Sequence, residues 1–494
     1  MTDRSVFPDP VYRATVLEPL FQSVKAHHAA HMDAINRAHL VMLAETGILA
    51  REDAQALAGA LEDIGRSTDL GTLAYTGEHE DYFFWIEAQL RDRLGDLGGA
   101  LHTARSRNDM DHTMFKLALR DRTAVLMAQV LDLADAMLAK ARTERATLIV
   151  AYTHGQPAQP STFGHYLAAA LEVLLRDAGR LQSAMDQLET SPMGAAAITT
   201  SGFPIDRTRV ALLLGFGAPQ LNSYGCIASV DYITGLYGAL KLMFLHLGRV
   251  VQDMAFWTAF EIGQLYVPNS LVQISSIMPQ KRNPVPIEHL RHLASATVGR
   301  CDTVVGVMQN TPFTDMNDSE GEVQQVGYTA FESGGRVLEL MAALIGQCSI
   351  NADRVQRTTD AACITITELA DTLVRDEALS FRQAHEVAAV TARAVIAREQ
   401  PLGEGYAFFC EAFERITGKS TDLDEPAFRD AVSAERFVAR RDRTGGPAEA
   451  SLRDAFSVYA AELQAMRAAE VARAERTTAA RAARDRAFLA LLER

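Results

Sequence analysis

An excess of basic charge is the first thing this chain lacks. Lys and Arg total 48 against 62 Asp and Glu, a net charge of −14 over 494 residues. A general nucleic-acid or anionic-membrane surface needs basic patches and is excluded, although a few cations in a pocket can still hold an anionic ligand. Also missing is any apolar run near the ~18 residues of a membrane span. The opening stretch, Met1 to Pro10, lacks the basic-then-apolar order of a secretion signal. Cysteine is scarce: Cys226, Cys301, Cys348, Cys363 and Cys410 are odd in number, far apart and form no CxxC pair. That spacing predicts buried thiols in a reducing compartment, with neither a disulfide framework nor a zinc site. The expectation is a cytoplasmic protein with no nucleic-acid or membrane partner.

Glycine and proline are missing from Leu101 to His154, and no window shows the alternating, β-branched pattern of strands joined by hairpin turns. Within that span Met114, Leu117, Leu119, Val125, Leu126, Val130, Leu131, Leu133, Met137 and Leu138 recur at helical spacing. The stretch is predicted as one long helix with a polar cluster at each end. A helix of roughly 40 residues is about 60 Å long, so other long helices must cover its apolar stripe. Similar patterns run over 162–188, 229–262, 286–308, 322–345 and 451–494. The predicted fold is all-α, in three helical regions: an N-terminal one (1–104), a central long-helix bundle (105–350) and a C-terminal one (351–494). Helices of this length commonly bury their stripes by oligomerising.

Four polar clusters interrupt the helical pattern. Ser275-Ser276-Ile277-Met278-Pro279-Gln280-Lys281-Arg282-Asn283-Pro284 combines two hydroxyls, cations, an amide and prolines that forbid a continuous helix. Lys281 and Asn283, two apart, can aim donors at one carboxylate. His102 to Asp109 opens the long helix, where Ser, Asn and Asp are natural caps but two arginines also suit a carboxylate or phosphate. Tyr152 to Pro160 closes it, and a His at a helix C-terminus is commonly a dipole-stabilised surface group. The fourth cluster, Ser191 to Arg207, reads equally as a connecting loop. The second and third clusters sit at opposite ends of one predicted helix. Either subunits bring opposite helix ends together, or the clusters are unrelated caps and turns.

Taken together these clusters resemble the fumarase/aspartase superfamily, and within it the argininosuccinate lyase family. The Ser275–Pro284 run resembles the superfamily signature loop. His102–Asp109, Thr153–Pro160, Phe203–Arg207 and Ser380–Glu386 are similar to that family's other characteristic segments, in the same order. The resemblance implies a homotetramer with a 20-helix core and active sites composed from three subunits. It implies reversible anti elimination of fumarate from an N-(1,2-dicarboxyethyl) amine, a small-molecule substrate, with no metal or organic cofactor. By position, Ser275 matches the catalytic base, Lys281 and Asn283 bind the carboxylate beside the acidic carbon, and Ser276 and Met278 of the same loop contact substrate. Arg107, Asn108 and Thr153 match contacts to the succinyl part, and His154 with Glu288 matches the family's His–Glu couple.

The departures from the family pattern concentrate on the amine half. The family's Tyr/Gln/Lys set aligns with Pro312, Asn317 and Glu320; a family His aligns with Phe83; and a Ser-Asp-Arg-Asp run becomes Ala228-Ser229-Val230-Asp231. Phe83, Val230, Asn317 and Glu320 are therefore candidates for an altered amine pocket. Besides argininosuccinate, an aminopolycarboxylate resembling ethylenediamine-disuccinate is an expected substrate class. A non-enzymatic, crystallin-like descendant is the alternative of another kind, against which the presence of Ser275, His154, Lys281 and Asn283 weighs.

Overall fold

The computed structural model describes residues 7–493. The reading of residues 1–6 as part of a non-secretory N-terminus, and the placement of Arg494 at the end of the last helix, lie outside the described residues.

Among the described residues the N-terminal region is built chiefly on α1 (Glu18–His27), α2 (Ala29–Glu45), α3 (Arg51–Ser67) and α4 (Tyr82–Leu94). Leu40, Leu43, Leu57, Leu61 and Leu90 make its buried core. The chain then enters α5 (Arg107–Thr143) through a capping box: Asp109 Oδ1 accepts the N–H of Ser106 at 2.9 Å while the Ser106 hydroxyl caps the first turn. The remaining bundle helices are α6 (Phe163–Asp186), α7 (Asp231–Thr258), α8 (Val285–Val307) and α9 (Gly321–Gln347). Each packs on the next, and α9 closes back on α5, so the five helices form a ring. Val130 and Met137, Leu171, Leu240, Leu290 and Leu344 point into its shared core, as the helical spacing requires. Glycines let two of these helices approach closely: a Cβ added at Gly334 of α9 would lie 2.5 Å from Phe244 Cζ of α7.

The predicted helix from Leu101 to His154 is shorter than expected. It stops at Thr143, and the chain forms a β-hairpin, β1 (Leu148–Thr153) antiparallel to β2 (Gln156–Thr162). Two sequence features explain the change. Leu148-Ile149-Val150 favours extended backbone, and His154 and Gly155 both take positive φ (54° and 72°), which makes a two-residue hairpin turn. The clusters of Tyr152–Pro160 and His102–Asp109 thus do not cap the two ends of one helix. Short ladders also occur where strands had not been expected: β3 (Leu265–Tyr266) pairs with β6 (Ser349–Ile350), and β4 (Gln273–Ile274) with β5 (Arg282–Asn283).

Beyond the bundle, α10 (Ile366–Asp376), α11 (Phe381–Ile396) and α12 (Tyr406–Thr417) enclose Leu369, Val387, Phe409 and Phe413. Here the Glu368 carboxylate, 3% exposed, meets Arg375 at 2.6 Å, Arg440 at 3.0 Å and Arg441 at 2.8 Å. The last helix, α13 (Glu449–Leu492), is 44 residues long, roughly 66 Å, and runs back across the molecule. Leu463 and Met466 join the bundle core, and Phe488 is buried in the N-terminal core beneath the Arg37 guanidinium. Cys226, Cys301, Cys348 and Cys363 carry buried free thiols, as expected, whereas Cys410 is only half-buried.

Candidate active site

The first part of the site is built where α5 begins. Asp109 is fully buried, and its Oδ2 accepts the N–H groups of Gly194 (2.8 Å) and Ala196 (2.9 Å). One carboxylate therefore caps α5 and clamps the 191–206 loop against it. That loop carries Gly194, Ala196 and Thr200 at positive φ, and for Ala and Thr this costs of order 1–2 kcal/mol each. Such strain persists where surrounding bonds fix the backbone. Asn108 reaches the same loop, its Nδ2 donating to Ala197 O at 3.4 Å.

Arg107 is half-buried beside them. Its Nη1 donates to Glu80 Oε1 (3.0 Å) and Asp81 Oδ2 (2.8 Å), and its guanidinium lies 4.9 Å from the centre of the Phe84 ring. Nε and Nη2 make no hydrogen bond among the described residues, so the planar fork keeps donors for a ligand carboxylate. The surroundings are otherwise acidic. Burial, reinforced by Asp315, pushes the Glu320 carboxyl up to about 7 despite Arg107. Burial and the Glu320 and Asp81 carboxylates hold Asp111 well above the usual carboxylate range. Asp315 Oδ1 is buried with no hydrogen-bond partner. Asp111 and Asp315 were missed in the sequence reading. The available signal was spacing: Asp111 lies four residues after Arg107, on the same helix face.

The signature loop forms the second part. Its base is the β4–β5 ladder, with Gln273 opposite Asn283 and Ile274 opposite Arg282. Arg282 fixes that base through Nη2 to Val267 O (2.7 Å) and Asn269 Oδ1 (2.9 Å), and it lies over the Tyr266 ring. At the crown, Ser275 Oγ accepts the N–H groups of Met278 (3.1 Å) and Ile277 (3.4 Å). Lys281 is exposed, Asn283 partly buried, Ser276 exposed, and Met278 and Ile277 present apolar side chains to solvent (38% and 82%). Glu288 lies exposed on the first turn of α8.

The third part is the hairpin tip, where Thr153 and His154 are exposed. A two-residue turn projects both side chains beyond the body of the chain. Among the described residues no ion pair joins His154 to Glu288, and no hydrogen bond joins the three parts. The amine-pocket candidates also separate: Glu320 lies near Arg107, Asn317 opens an exposed turn, Val230 caps α7, and Phe83 is buried, its ring packed 5.0 Å from that of His102. The larger cavities lie elsewhere. One of about 580 Å³ runs between α6 and α7, and one of about 470 Å³ between α2, α5 and α13; neither is lined by a predicted site residue.

Known proteins share this sequence and fold. A lyase family model matches residues 19–299, and an argininosuccinate lyase C-terminal model matches residues 363–439. Argininosuccinate lyase 2 of Agrobacterium fabrum is 61% identical over 484 residues, 98% of this chain and 96% of that protein. Argininosuccinate lyase of Nitrosococcus oceani is 33% identical over 444 residues, 90% of this chain and 93% of that one. Among solved structures, EDDS lyase in complex with formate superposes with a TM-score of 0.86 at 26% identity over 98% of both chains. A class II fumarase of Schistosoma mansoni shares the fold at 14% identity and a TM-score of 0.68, covering 86% of this chain and 92% of that chain. The chain belongs to the argininosuccinate lyase family of the fumarase/aspartase superfamily and is a carbon–nitrogen lyase that releases fumarate.

Proposed function

We propose that this lyase works as a homotetramer in which each active site joins an α5 N-terminus, a signature loop and a hairpin tip from different subunits. Five bundle helices per chain suit a twenty-helix core, and three unconnected groups of reactive side chains, each at least partly open to solvent, suit completion by neighbours. The substrate is an N-(1,2-dicarboxyethyl) amine. Ser275 removes the proton from the carbon beside one carboxylate, electrons flow to form the double bond of fumarate, and the C–N bond breaks with the nitrogen keeping its pair.

The observation that carries this reading is the environment of Ser275 Oγ. It accepts two backbone N–H groups, and hydrogen bonds to an oxygen favour its anionic form. A serine needs such help to serve as a base. Lys281 and Asn283, on the closing side of the same loop, stabilise the doubly charged carboxylate formed on proton loss; a preorganised donor of this kind is worth ~10²–10³ in rate. Arg107, Asn108 and Thr153 hold the succinyl part. His154, oriented by Glu288 of another subunit, takes part in proton transfer.

The amine half is read from the carboxylates around Arg107. Glu320, anionic above about pH 7, together with the neighbouring Asp81 disfavours an amine bearing further carboxylates and favours one bearing positive charge. Argininosuccinate, whose leaving group keeps a guanidinium, is the first substrate to test, and aminopolycarboxylates are second. Ultraviolet detection of fumarate from argininosuccinate and from a panel of N-substituted aspartates decides the point. Fumarate from none of them, with the oligomer intact, would remove the proposal.

A further inference from the structure

Hairpins of two strands are marginal on their own, and β1 has β2 on one side only. Its other edge is closed by a side chain. Val150, in the middle of β1, stands opposite Pro160, which has no N–H to give. The N–H and C=O of a strand residue project to the same side, and those of Val150 turn away from β2. Both meet the amide of Gln264: Val150 N donates to Gln264 Oε1 at 3.1 Å, and Gln264 Nε2 donates to Val150 O at 3.2 Å. This is the pairing that a third strand would supply. Val150 is fully buried and Gln264 is 2% exposed, so water cannot replace either bond.

Gln264 is itself held where three parts of the chain meet. Gly263, at φ 60°, turns the chain out of α7, and the Gln264 carbonyl accepts the N–H of Asn351 at 2.8 Å. The next residue begins β3, which pairs with β6 and leads through Val267 to the base of the signature loop. Val150 lies four residues from His154, about 13 Å along an extended strand. A tilt at Val150 is therefore amplified at the tip.

We infer that Gln264 is the positioning residue of the hairpin: its amide stands in for a missing strand and fixes where Thr153 and His154 project. The inference rests on the proposed role of His154 for its catalytic consequence, but not for its structural one. Because the same residue precedes β3, it ties the hairpin to the strand that anchors the Ser275 loop. These two elements serve different active sites in the proposed tetramer, so Gln264 couples the geometry of one site to that of another.

The test uses the full-length oligomer with Gln264→Leu, which removes both bonds at similar size, and Gln264→Glu, which keeps an acceptor but sets a carboxylate against the Val150 carbonyl. In the wild type, the 148–153 segment should show hydrogen-exchange protection comparable with α6. In either variant, exchange at 148–156 should accelerate at least about tenfold while α5 and α6 stay protected. The kcat for fumarate release should fall roughly 10–100-fold as His154 is misplaced, and KM should rise with it as Thr153 moves away from the succinyl part. Fast exchange of this segment in the wild type, or unchanged exchange in a folded variant, overturns the inference. Accelerated exchange at 148–156 with an unchanged kcat keeps Gln264 as the residue that holds the hairpin and removes His154 from the chemistry. If the wild type releases no fumarate from any amine, the proposed function falls while the exchange measurements still decide the role of Gln264.

Discussion

Asp109 Oδ2 accepts the N–H of Gly194 at 2.8 Å, joining two segments 85 residues apart. Through this bond the cap of α5 and the strained loop beside Asn108 become one unit. Asp109→Ala should cost about 1–3 kcal/mol, the usual penalty for orphaning buried donors, with extra weight because the acceptor is charged. Thermal denaturation reads the loss, and hydrogen exchange should locate it in the 191–206 loop. Gly194→Ala should also destabilise: φ is 83°, and the new Cβ would lie 2.6 Å from Arg207 Cγ.

Ser275→Ala tests the base. Its hydroxyl bonds only within its own loop, so fold and assembly should survive while turnover falls at least ~10³-fold. Near-normal turnover in steady-state assays would exclude Ser275 from the chemistry.

Composite sites predict complementation. Ser275→Ala and His154→Asn homo-oligomers should each be nearly inactive, because each site receives one residue of each kind. Co-refolding the two variants should restore partial activity, carried by sites that draw an intact loop and an intact tip from opposite parents. No recovery from a demonstrated mixed oligomer would place both residues from one chain in one site.

The fold was largely legible because its helices are long and amphipathic: Val130, Leu131, Leu133 and Met137 had to face a partner whatever the tertiary detail. The hairpin was not. A short β-branched run after a 37-residue helix reads as more helix until His154 and Gly155 are seen as a turn with two left-handed residues. The candidate site was read from local chemistry, since Ser275, Lys281 and Asn283 sit within nine residues, whereas the acidic surroundings of Arg107 were not. Asp315 and Glu320 approach Arg107 through tertiary folding over some 200 residues, a distance no periodicity encodes. Gln264 was not singled out, because a side chain that replaces a strand leaves no sequence signature.

Glu320 gives a pH test. With the carboxyl pushed up to about 7, it is neutral below that pH and anionic above it. Affinity for a cationic amine substrate should rise as pH rises through 7, by roughly fivefold for about 1 kcal/mol of partly screened attraction. Glu320→Gln should flatten that dependence in KM profiles while sparing kcat for a neutral amine. A profile identical to the wild type would remove Glu320 from the amine pocket.

Glu368 gives a stability test of opposite sign. Burial alone would raise its pKa, but Arg375, Arg440 and Arg441 outweigh burial and leave it below its ordinary 4.5. A depressed folded value means that the stabilisation is fully present above 4.5 and is lost as pH falls through the folded value. Glu368→Gln should cost about 1–3 kcal/mol at neutral pH, because the three guanidinium groups lose their shared anion but remain partly exposed and Arg440 keeps Asp430. The difference from wild type should shrink in acid, as read by denaturant titration across pH.

The long helix α13 sets a temporal order on biosynthesis. Gln55 Nε2 bonds to the carbonyl of Leu492, 437 residues downstream, and Phe488 fills the interior of a region whose other members emerge from the ribosome first. That interior must wait, incompletely sealed, until residues 488–492 have been translated. Nascent chains stalled before position 480 should therefore be preferred clients of chaperones and proteases.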